Sequence, residues 1–319
     1  METSIWAWIA FHAIVFFILA LDLGVFHRHS HRISAREAGI WTLVWISLSL
    51  AFNGLIWLWR GPEDALNFLT AYLVEYSLSV DNIFVFVLLF GYFRVPPQYQ
   101  HRVLFWGILG ALLMRGSMIL LGAALIERFQ WILYLFGAFL LVTGVRLIFQ
   151  DDDPEVDPQH NPLARLVRRF LPVTAEMRGD RFFVREAGRL SATPLLLVLV
   201  IVESTDLLFA IDSIPAIFGI THDPFIVYTS NICAILGLRS LYFLLASFMR
   251  AFYYLRFGLA VILSFIGVKM LTPLITGWFL GGHGLHIPTT VSLAVIVVTL
   301  LVSVAASIIR SRRLAAAAD

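Results

Sequence analysis

The sequence predicts an all-α, polytopic membrane protein that crosses the bilayer about nine times. Its residues are 60% hydrophobic and only 14% charged, whereas a soluble domain carries roughly 25% charged residues. Apolar runs of ~20 residues, long enough to cross a bilayer core, recur along the whole chain. The arginines concentrate in alternate loops between these runs. We therefore interpret residues 1–319 as a single transmembrane domain.

The hydropathy pattern predicts where each span lies. The first run is interpreted as a true span and not as a signal peptide, because its apolar core is long and basic residues follow it instead of preceding it. The predicted spans cover residues 5–26, 40–59, 66–93, 102–126, 130–149, 193–218, 224–249, 256–276 and 287–309.

The loop arginines predict the orientation of these spans. With nine spans, seventeen arginines fall in loops on one side, and only Arg60 and Arg128 fall on the other. Cytoplasmic loops carry an excess of Lys and Arg, so we expect the N-terminus outside and the C-terminus in the cytoplasm. One span more or fewer would mix the two sets.

The longest connection, residues 150–192, is then cytoplasmic. It begins with an acidic, proline-bearing stretch and continues with an amphipathic segment, Leu163 to Leu171, which carries arginines on its polar side. An alternating stretch, Arg181 to Leu190, is typical of a small hairpin. We interpret this connection as a solvated segment that lies on an anionic membrane surface.

Composition also excludes several classes of function. A net charge of +2 gives no support for nucleic-acid binding, and the single cysteine, Cys233, excludes a disulfide framework or a thiolate metal cluster. No glycine-rich phosphate loop is followed by lysine, and Lys269 is the only lysine, so an ATP-driven pump is not expected. We expect neither an enzyme nor a permanently bound cofactor.

Two blocks of three spans resemble each other, spans 3–5 and spans 6–8. Gly107 through Arg115 aligns with Asn231 through Arg239, and with a gap the alignment sets Asp81 opposite Asp206. A second register would match residues 80–83 with residues 211–214 instead, and both registers remain open. Because each block has an odd number of spans, the second block is inverted. Inverted repeats are a signature of secondary transporters, whose substrate site lies near the midplane.

Acidic side chains inside spans 3 and 6 are the strongest functional signal. A charge at a helix centre costs roughly 2.5–3.5 kcal/mol, so five would cost on the order of 15 kcal/mol. The whole stability of a typical domain is roughly 5–15 kcal/mol. These acids must be protonated, paired or bound to cations, and the mid-span Arg115 and Arg239 are too few to neutralise them. The five are Glu75, Asp81, Glu203, Asp206 and Asp212.

A rise of ~1.5 Å per residue predicts the depth of each acid. Glu75 and Asp212 are expected outermost, Asp81 and Asp206 at the centre, and Glu203 innermost. This series of carboxylates is typical of a cation path across the membrane.

Other oxygen atoms are expected at the same depth. Pro215 cannot donate to the carbonyl four residues earlier, so we expect an interrupted helix and a free carbonyl at Ile211. Asn82, Ser213 and Asn231 add amide and hydroxyl oxygens. Carboxylate, carbonyl and amide ligands suit Mg²⁺, Ca²⁺ or Mn²⁺, and the spacing does not choose among these ions.

Several segments of the chain resemble the TerC family, and most closely its Alx branch. The resemblance extends from about residue 20 to residue 310. It is carried by the segments EYSLSVDNIFVF (75–86), FFVREAGRLSATPLL (182–196), ESTDLLFAIDSIPAIF (203–218), DPFIVYTSN (223–231) and AILGLRSLYFLLA (234–246), which are highly specific motifs. The resemblance implies manganese export from the cytoplasm across a bacterial inner membrane. It also implies that the five acids occupy the family's acidic motif positions.

The expected function is therefore Mn²⁺ efflux by alternating access, with protons as the exchanged ion and the lipid bilayer as the surroundings. A Ca²⁺ or other cation–proton exchanger remains an alternative, because its ligands are equally hard. A membrane assembly or stress factor with structural acids is the alternative from a different class. The sequence leaves the oligomeric state open.

Overall fold

The computed structural model describes residues 4–21, 34–149, 161–186, 189–246, 254–279, 285 and 287–316. In these ranges the chain forms helices and one short antiparallel hairpin. The elements are α1 (Ile5–Leu21), α2 (Ala35–Arg60), α3 (Pro62–Tyr92), α4 (Pro97–Arg128), α5 (Ile132–Phe149), α6 (Pro162–Phe170), β1 (Phe183–Glu186), β2 (Arg189–Ala192), α7 (Pro194–Phe218), α8 (Pro224–Leu236), α9 (Leu238–Ala246), α10 (Leu255–Phe279) and α11 (Thr289–Ala316).

The helices confirm an all-α, polytopic membrane protein. Seven of the described helices are long and apolar enough to cross a membrane, namely α2, α3, α4, α5, α7, α10 and α11. The pair α8 and α9 would make an eighth span, bent by 41°. The apolar helix α1 is shorter. The predicted total of nine spans therefore stays a prediction, as does the orientation.

Proline residues fix where many of these helices begin. Pro62, Pro97, Pro162, Pro194 and Pro224 each stand in the first turn of a helix, where the missing amide hydrogen costs nothing and the ring pre-sets the backbone. These prolines therefore fix where α3, α4, α6, α7 and α8 begin.

The expectation of an interrupted helix at Pro215 was wrong. Helix α7 runs from Pro194 to Phe218 with Pro215 inside it. Pro215 is buried, and neighbouring helices can satisfy a freed backbone group inside a membrane protein. The free carbonyl of Ile211 as an ion ligand stays a prediction.

The two groups of helices defined by the predicted repeat pack on each other. Helix α3 contacts α7 and α8, α4 contacts α7 and α8, and α5 packs along α10. The contact between α3 and α8 has its counterpart in the contact between α7 and α4. This pattern is the one that an inverted repeat predicts, and the repeat itself stays a prediction.

Small residues allow α5 and α10 to approach backbone to backbone. A Cβ atom on Gly267 would lie 2.6 Å from the Leu141 nitrogen and 2.7 Å from the Gly137 oxygen. A Cβ atom on Gly144 would lie 2.7 Å from the Ser264 nitrogen. Such close approach is how helices pack tightly in lipid, where the hydrophobic effect does not drive their association.

The two elements predicted within residues 150–192 are present in its described part. Helix α6 is amphipathic, with Ala164 buried and its arginines exposed. Strands β1 and β2 pair antiparallel, with Phe183 opposite Ala192. The Asn161 side chain caps α6 and also donates a 2.7 Å hydrogen bond to Ser204 of α7. The acidic stretch, 151–157, lies outside the described residues.

Replacing Gly267 by alanine should destabilise the protein. The new methyl group would meet backbone atoms of α5, which cannot rotate away, and overpacking of this kind costs about 1–3 kcal/mol. We expect a lower thermal unfolding temperature for the purified protein in detergent.

The matched control is Gly277→Ala on the same helix, where a Cβ atom meets nothing within 4 Å. Alanine there should be neutral or stabilise by roughly 0.5–1 kcal/mol, because it restricts the unfolded chain. Equal unfolding temperatures for the two variants would contradict the close α5–α10 contact.

Candidate ion-binding site in the membrane

One arginine connects two of the predicted acids in the centre of the helix bundle. Arg115 of α4 donates from Nε to Asp206 Oδ2 at 3.0 Å and from Nη2 to Asp206 Oδ1 at 2.7 Å. Its Nη1 forms an ion pair with Glu75 of α3. The same Nη1 lies 3.4 Å from Ser213 Oγ. Glu75 and Arg115 are fully buried, and Asp206 is 4% exposed.

This bridge leaves its own charges unbalanced. Two carboxylates face one guanidinium, so the fully ionised group has a net charge of −1. Glu75 Oε2 is buried and has no hydrogen-bond partner among the described residues. A buried acceptor without a partner is costly. The group can therefore accept one more positive charge, either a proton or a metal ion.

Polar side chains continue along the same face of α3. Glu75, Ser79, Asn82 and Phe86 follow at intervals of four, three and four residues, the spacing that places side chains on one helical face. Ser79 and Asn82 are buried, and Ser79 Oγ has no partner within the described part of the chain. The face carries oxygen atoms for more than two turns on one side of Glu75.

A small cavity of about 20 Å³, enough for a water molecule or an ion, adjoins this bridge. Its lining includes Asp206 and Glu203 of α7, Arg239 of α9 and Phe86 of α3. The Glu203 carboxylate lies against Gly110 of α4, in the space that a Cβ atom there would fill. The cavity thus joins a second acid, and a second arginine, to the Arg115 bridge.

The predicted order of depths was wrong for Glu75, which was expected about 9 Å further out than Asp206 and instead shares one guanidinium with it. Arg115 forms ion pairs with both Glu75 and Asp206. The prediction had expected Asp81, six residues after Glu75 on α3, to lie beside Asp206. The prediction measured depth from assumed span ends, and α3 begins at Pro62 where residue 66 was expected. Asp81 lies on α3 about 9 Å from Glu75 along the axis. Its side chain lies outside the described residues.

Two other predicted residues face elsewhere. Asp212 is half-buried beside Thr143 of α5, away from Arg115. The side chain of Ile211 is 43% exposed on the outside of the bundle. Six residues separate Asp212 from Asp206, and this spacing turns a helical side chain by about 240° at 3.6 residues per turn. The structure therefore does not bring Asp212 to the bridge.

Asn231 lies on the cavity side of α8. It precedes Ile235 and Leu238, which line the cavity, by four and seven residues. Its side chain is fully buried, and neither its amide nitrogen nor its amide oxygen finds a partner among the described residues. A buried amide in this state indicates a place for water or a ligand.

A complete metal site is not assembled in this arrangement. In the described ranges, no three His, Cys, Asp or Glu side chains lie close enough together to hold a metal ion. Arg115 occupies both oxygens of Asp206 and one of Glu75. A metal ion that bound these atoms would compete with the guanidinium for them.

Sequence reasoning missed Ser79 and Gly110. Ser79 could have been found from its spacing to Glu75, because residues four apart share a helical face. Gly110 gave no signal, since its role depends on which helix packs against it. The cavity likewise depends on packing alone.

Residues 60–315, which hold the Arg115 bridge and the cavity, match the sequence profile of the integral membrane protein TerC family. The chain belongs to the TerC family. The resemblance of the acidic segments is thereby confirmed. No solved structure matches the chain.

Relatives from this family cover nearly the whole chain. "Uncharacterized membrane protein STKORF319" of Myxococcus xanthus is 51% identical over 305 residues, 96% of this chain and 92% of its own length. The "Putative membrane-bound redox modulator Alx" of Escherichia coli is 49% identical over 298 residues, 91% of this chain and 90% of its own. A membrane protein of Rickettsia bellii is 41% identical over 304 residues, 95% of this chain and 97% of its own.

Replacing Arg115 by glutamine should strongly destabilise the protein at neutral pH. The change leaves Glu75 and Asp206 buried without their counter-charge, and breaking a buried pair costs about 3–5 kcal/mol. We expect a large fall in the thermal unfolding temperature, which an acidic buffer should partly reverse by protonating the carboxylates.

Arg128→Gln, at the exposed end of the same helix, is the control, and it should change stability by less than about 0.5 kcal/mol. If Arg115→Gln unfolds at the wild-type temperature at neutral pH, the bridge does not hold α3, α4 and α7 together.

Proposed function

We propose that this TerC family protein is a secondary transporter that exports Mn²⁺ from the cytoplasm in exchange for protons. The observation that carries the proposal is the unbalanced charge of the bridge formed by Glu75, Arg115 and Asp206. A structural ion pair would need one carboxylate for one guanidinium. The additional buried carboxylate, with its unpartnered Oε2 atom, suits a site that binds a proton in one state and a cation in another.

The cavity supports a route for loading. Residues from the N-terminal halves of α4 and α7 line it. If the N-terminus of the chain lies outside, both of these halves are on the cytoplasmic side of the membrane. A cation entering this cavity would meet Glu203 before Asp206. Arg239, on the same wall, offsets part of the negative charge while the cavity is empty.

Arg115 acts in this proposal as a tethered cation that competes with the transported ion. When a divalent ion binds Asp206 and Glu75, the guanidinium must leave them, and the bridge between α3, α4 and α7 opens. When the ion leaves, protons or Arg115 restore neutrality. Binding and the arrangement of the helices are thus coupled, as alternating access requires.

The choice of Mn²⁺ rests on the resemblance to the TerC family, since oxygen ligands alone also suit Ca²⁺ and Mg²⁺. The bacterial inner membrane as location rests on the same resemblance. The name of the Escherichia coli relative describes a redox modulator. A redox role based on thiol–disulfide exchange within this chain is not supported. The chain has a single cysteine, Cys233, and it is buried in α8.

Replacing Asp206 by asparagine should abolish Mn²⁺ transport in liposomes, because asparagine keeps the shape but removes the charge. Since this change also disturbs Arg115, Glu203→Gln serves as the second variant. Glu203 lines the cavity, and its loss should weaken Mn²⁺ binding about tenfold or more, the effect of ~1.4 kcal/mol. The thermal unfolding temperature should not change.

Asp81→Asn should likewise lose Mn²⁺ transport in liposomes.

The control is Glu127→Gln, an exposed acid near the end of α4, which should transport like the wild type. Ca²⁺ and Mg²⁺ are tested as competitors, and preference for Ca²⁺ would favour a different cation–proton exchanger. If purified wild-type protein moves no divalent cation, the acids are structural and the protein is an assembly or stress factor.

A further inference from the structure

Helix α6 is fastened to the beginning of α7 at both of its ends. At its start, the Asn161 side chain donates a 2.7 Å hydrogen bond to Ser204, which lies ~15 Å along α7 from its first residue. Beyond its end, the Thr174 amide donates to the carbonyl oxygen of Ala192 at 2.9 Å, two residues before α7 begins. The nine residues of α6 span ~14 Å, so this helix lies alongside the first three turns of α7.

The apolar face of α6 is turned away from the rest of the described protein. Ala164 is the buried residue of this helix, which packs on α7. In contrast, Leu163 is 41% exposed, Leu166 49% and Phe170 74%. Their spacing of three and four residues places them on one helical face. This apolar face therefore meets the surroundings of the bundle.

The opposite side of α6 is positively charged. Arg165, Arg168 and Arg169 are all exposed, and none of the nine residues of α6 is acidic. A helix with a strongly apolar face and arginines on the other side is typical of helices that lie in the interface of a membrane. The two faces of α6 thus match the two layers of such an interface, acyl chains and anionic headgroups.

The packing of α7 indicates that lipid surrounds α6. Helix α7 is long and apolar enough to cross a membrane. Residues 194–206 of α7 include no exposed side chain, whereas Leu207 is 37% exposed and Leu208 63%. Helix α6 packs against the covered part, so it separates the beginning of α7 from the lipid that the following turns contact. The exposed apolar face of α6 continues the lipid-facing surface of the bundle.

We propose that α6 is a binding site for anionic phospholipids. Leu163, Leu166 and Phe170 insert among the acyl chains, and the guanidinium groups of Arg168 and Arg169 bind the lipid phosphates, which guanidinium groups can hold through two hydrogen bonds. In the expected orientation this leaflet is the cytoplasmic one, where anionic lipids attract basic segments. The binding does not depend on which ion the protein transports.

The first test measures the headgroup preference of the full-length protein in detergent. Native mass spectrometry compares the binding of phosphatidylglycerol with that of phosphatidylcholine of the same acyl chains. Wild type should prefer phosphatidylglycerol. The double variant Arg168→Gln/Arg169→Gln should bind phosphatidylglycerol about 30-fold more weakly, the effect of ~1 kcal/mol for each arginine.

The matched control is Arg185→Gln/Arg189→Gln, which removes the same charge from exposed positions of the β1–β2 hairpin. It should keep the wild-type affinity for phosphatidylglycerol. Equal losses in the two double variants would show that only the total charge of this connection matters, and would overturn the site on α6. A wild type without preference for phosphatidylglycerol would overturn it as well.

The second test measures whether α6 is inserted in the bilayer. Phe170→Cys is labelled with an environment-sensitive fluorophore in liposomes, and Glu186→Cys, an exposed position on the hairpin, is the water-facing control. The only native cysteine, Cys233, is buried. Spin-labelled acyl chains should quench the label at residue 170, and aqueous iodide should quench the label at residue 186. Quenching of residue 170 by iodide and not by acyl chains would overturn the proposal and favour a soluble partner on this face.

Discussion

The ion pairs of Arg115 are the interaction on which the rest of this structure depends. A guanidinium inside a bilayer is stable only if it is paired and hydrogen-bonded, and here Glu75 and Asp206 supply the partners from two different helices. The same contacts join α3, α4 and α7 to one another inside the bundle, where an unpaired buried charge is costly. Because two acids share one base, the bridge also creates the need for a further positive charge. Stability and ion binding therefore compete for the same atoms.

The helices that surround the bridge differ in how firmly they are packed. Helices α5 and α10 touch backbone to backbone at Gly137 and Gly267, with no space for a side chain to rearrange. By contrast, the path of α8 and α9 bends by 41°, and Leu238 and Arg239 line the cavity directly after the bend. Broken helices are typical of transporter binding sites, because their ends expose polar backbone groups. The bundle thus combines a closely packed pair of helices, α5 and α10, with a bent pair, α8 and α9, beside the cavity and its acids.

The sequence alone predicted which charged residues lie within apolar helices, because the apolar runs and the positions of the charged residues are both visible in it. It also predicted α6 and the β1–β2 hairpin, whose patterns are local. It did not predict that Glu75 would meet Asp206, or that Asp212 would face α5, because a shift of one residue moves a side chain by 1.5 Å and 100° around a helix axis. The contact between His12 and Tyr228 joins residues 216 positions apart, so no local pattern could indicate it. Pro215 predicted a break in the helix, but α7 continues through this buried proline to Phe218.

The central claim is that protons and Mn²⁺ compete for one set of buried carboxylates. Calorimetric titration of the purified protein with Mn²⁺, repeated in buffers of different ionisation enthalpy, counts the protons released for each ion bound. Because a metal ion requires deprotonated ligands, the account predicts release of about one proton or more per Mn²⁺ near neutral pH. It also predicts fewer released protons in Glu203→Gln than in wild type. Mn²⁺ binding without proton release, or no binding at all, would contradict the account.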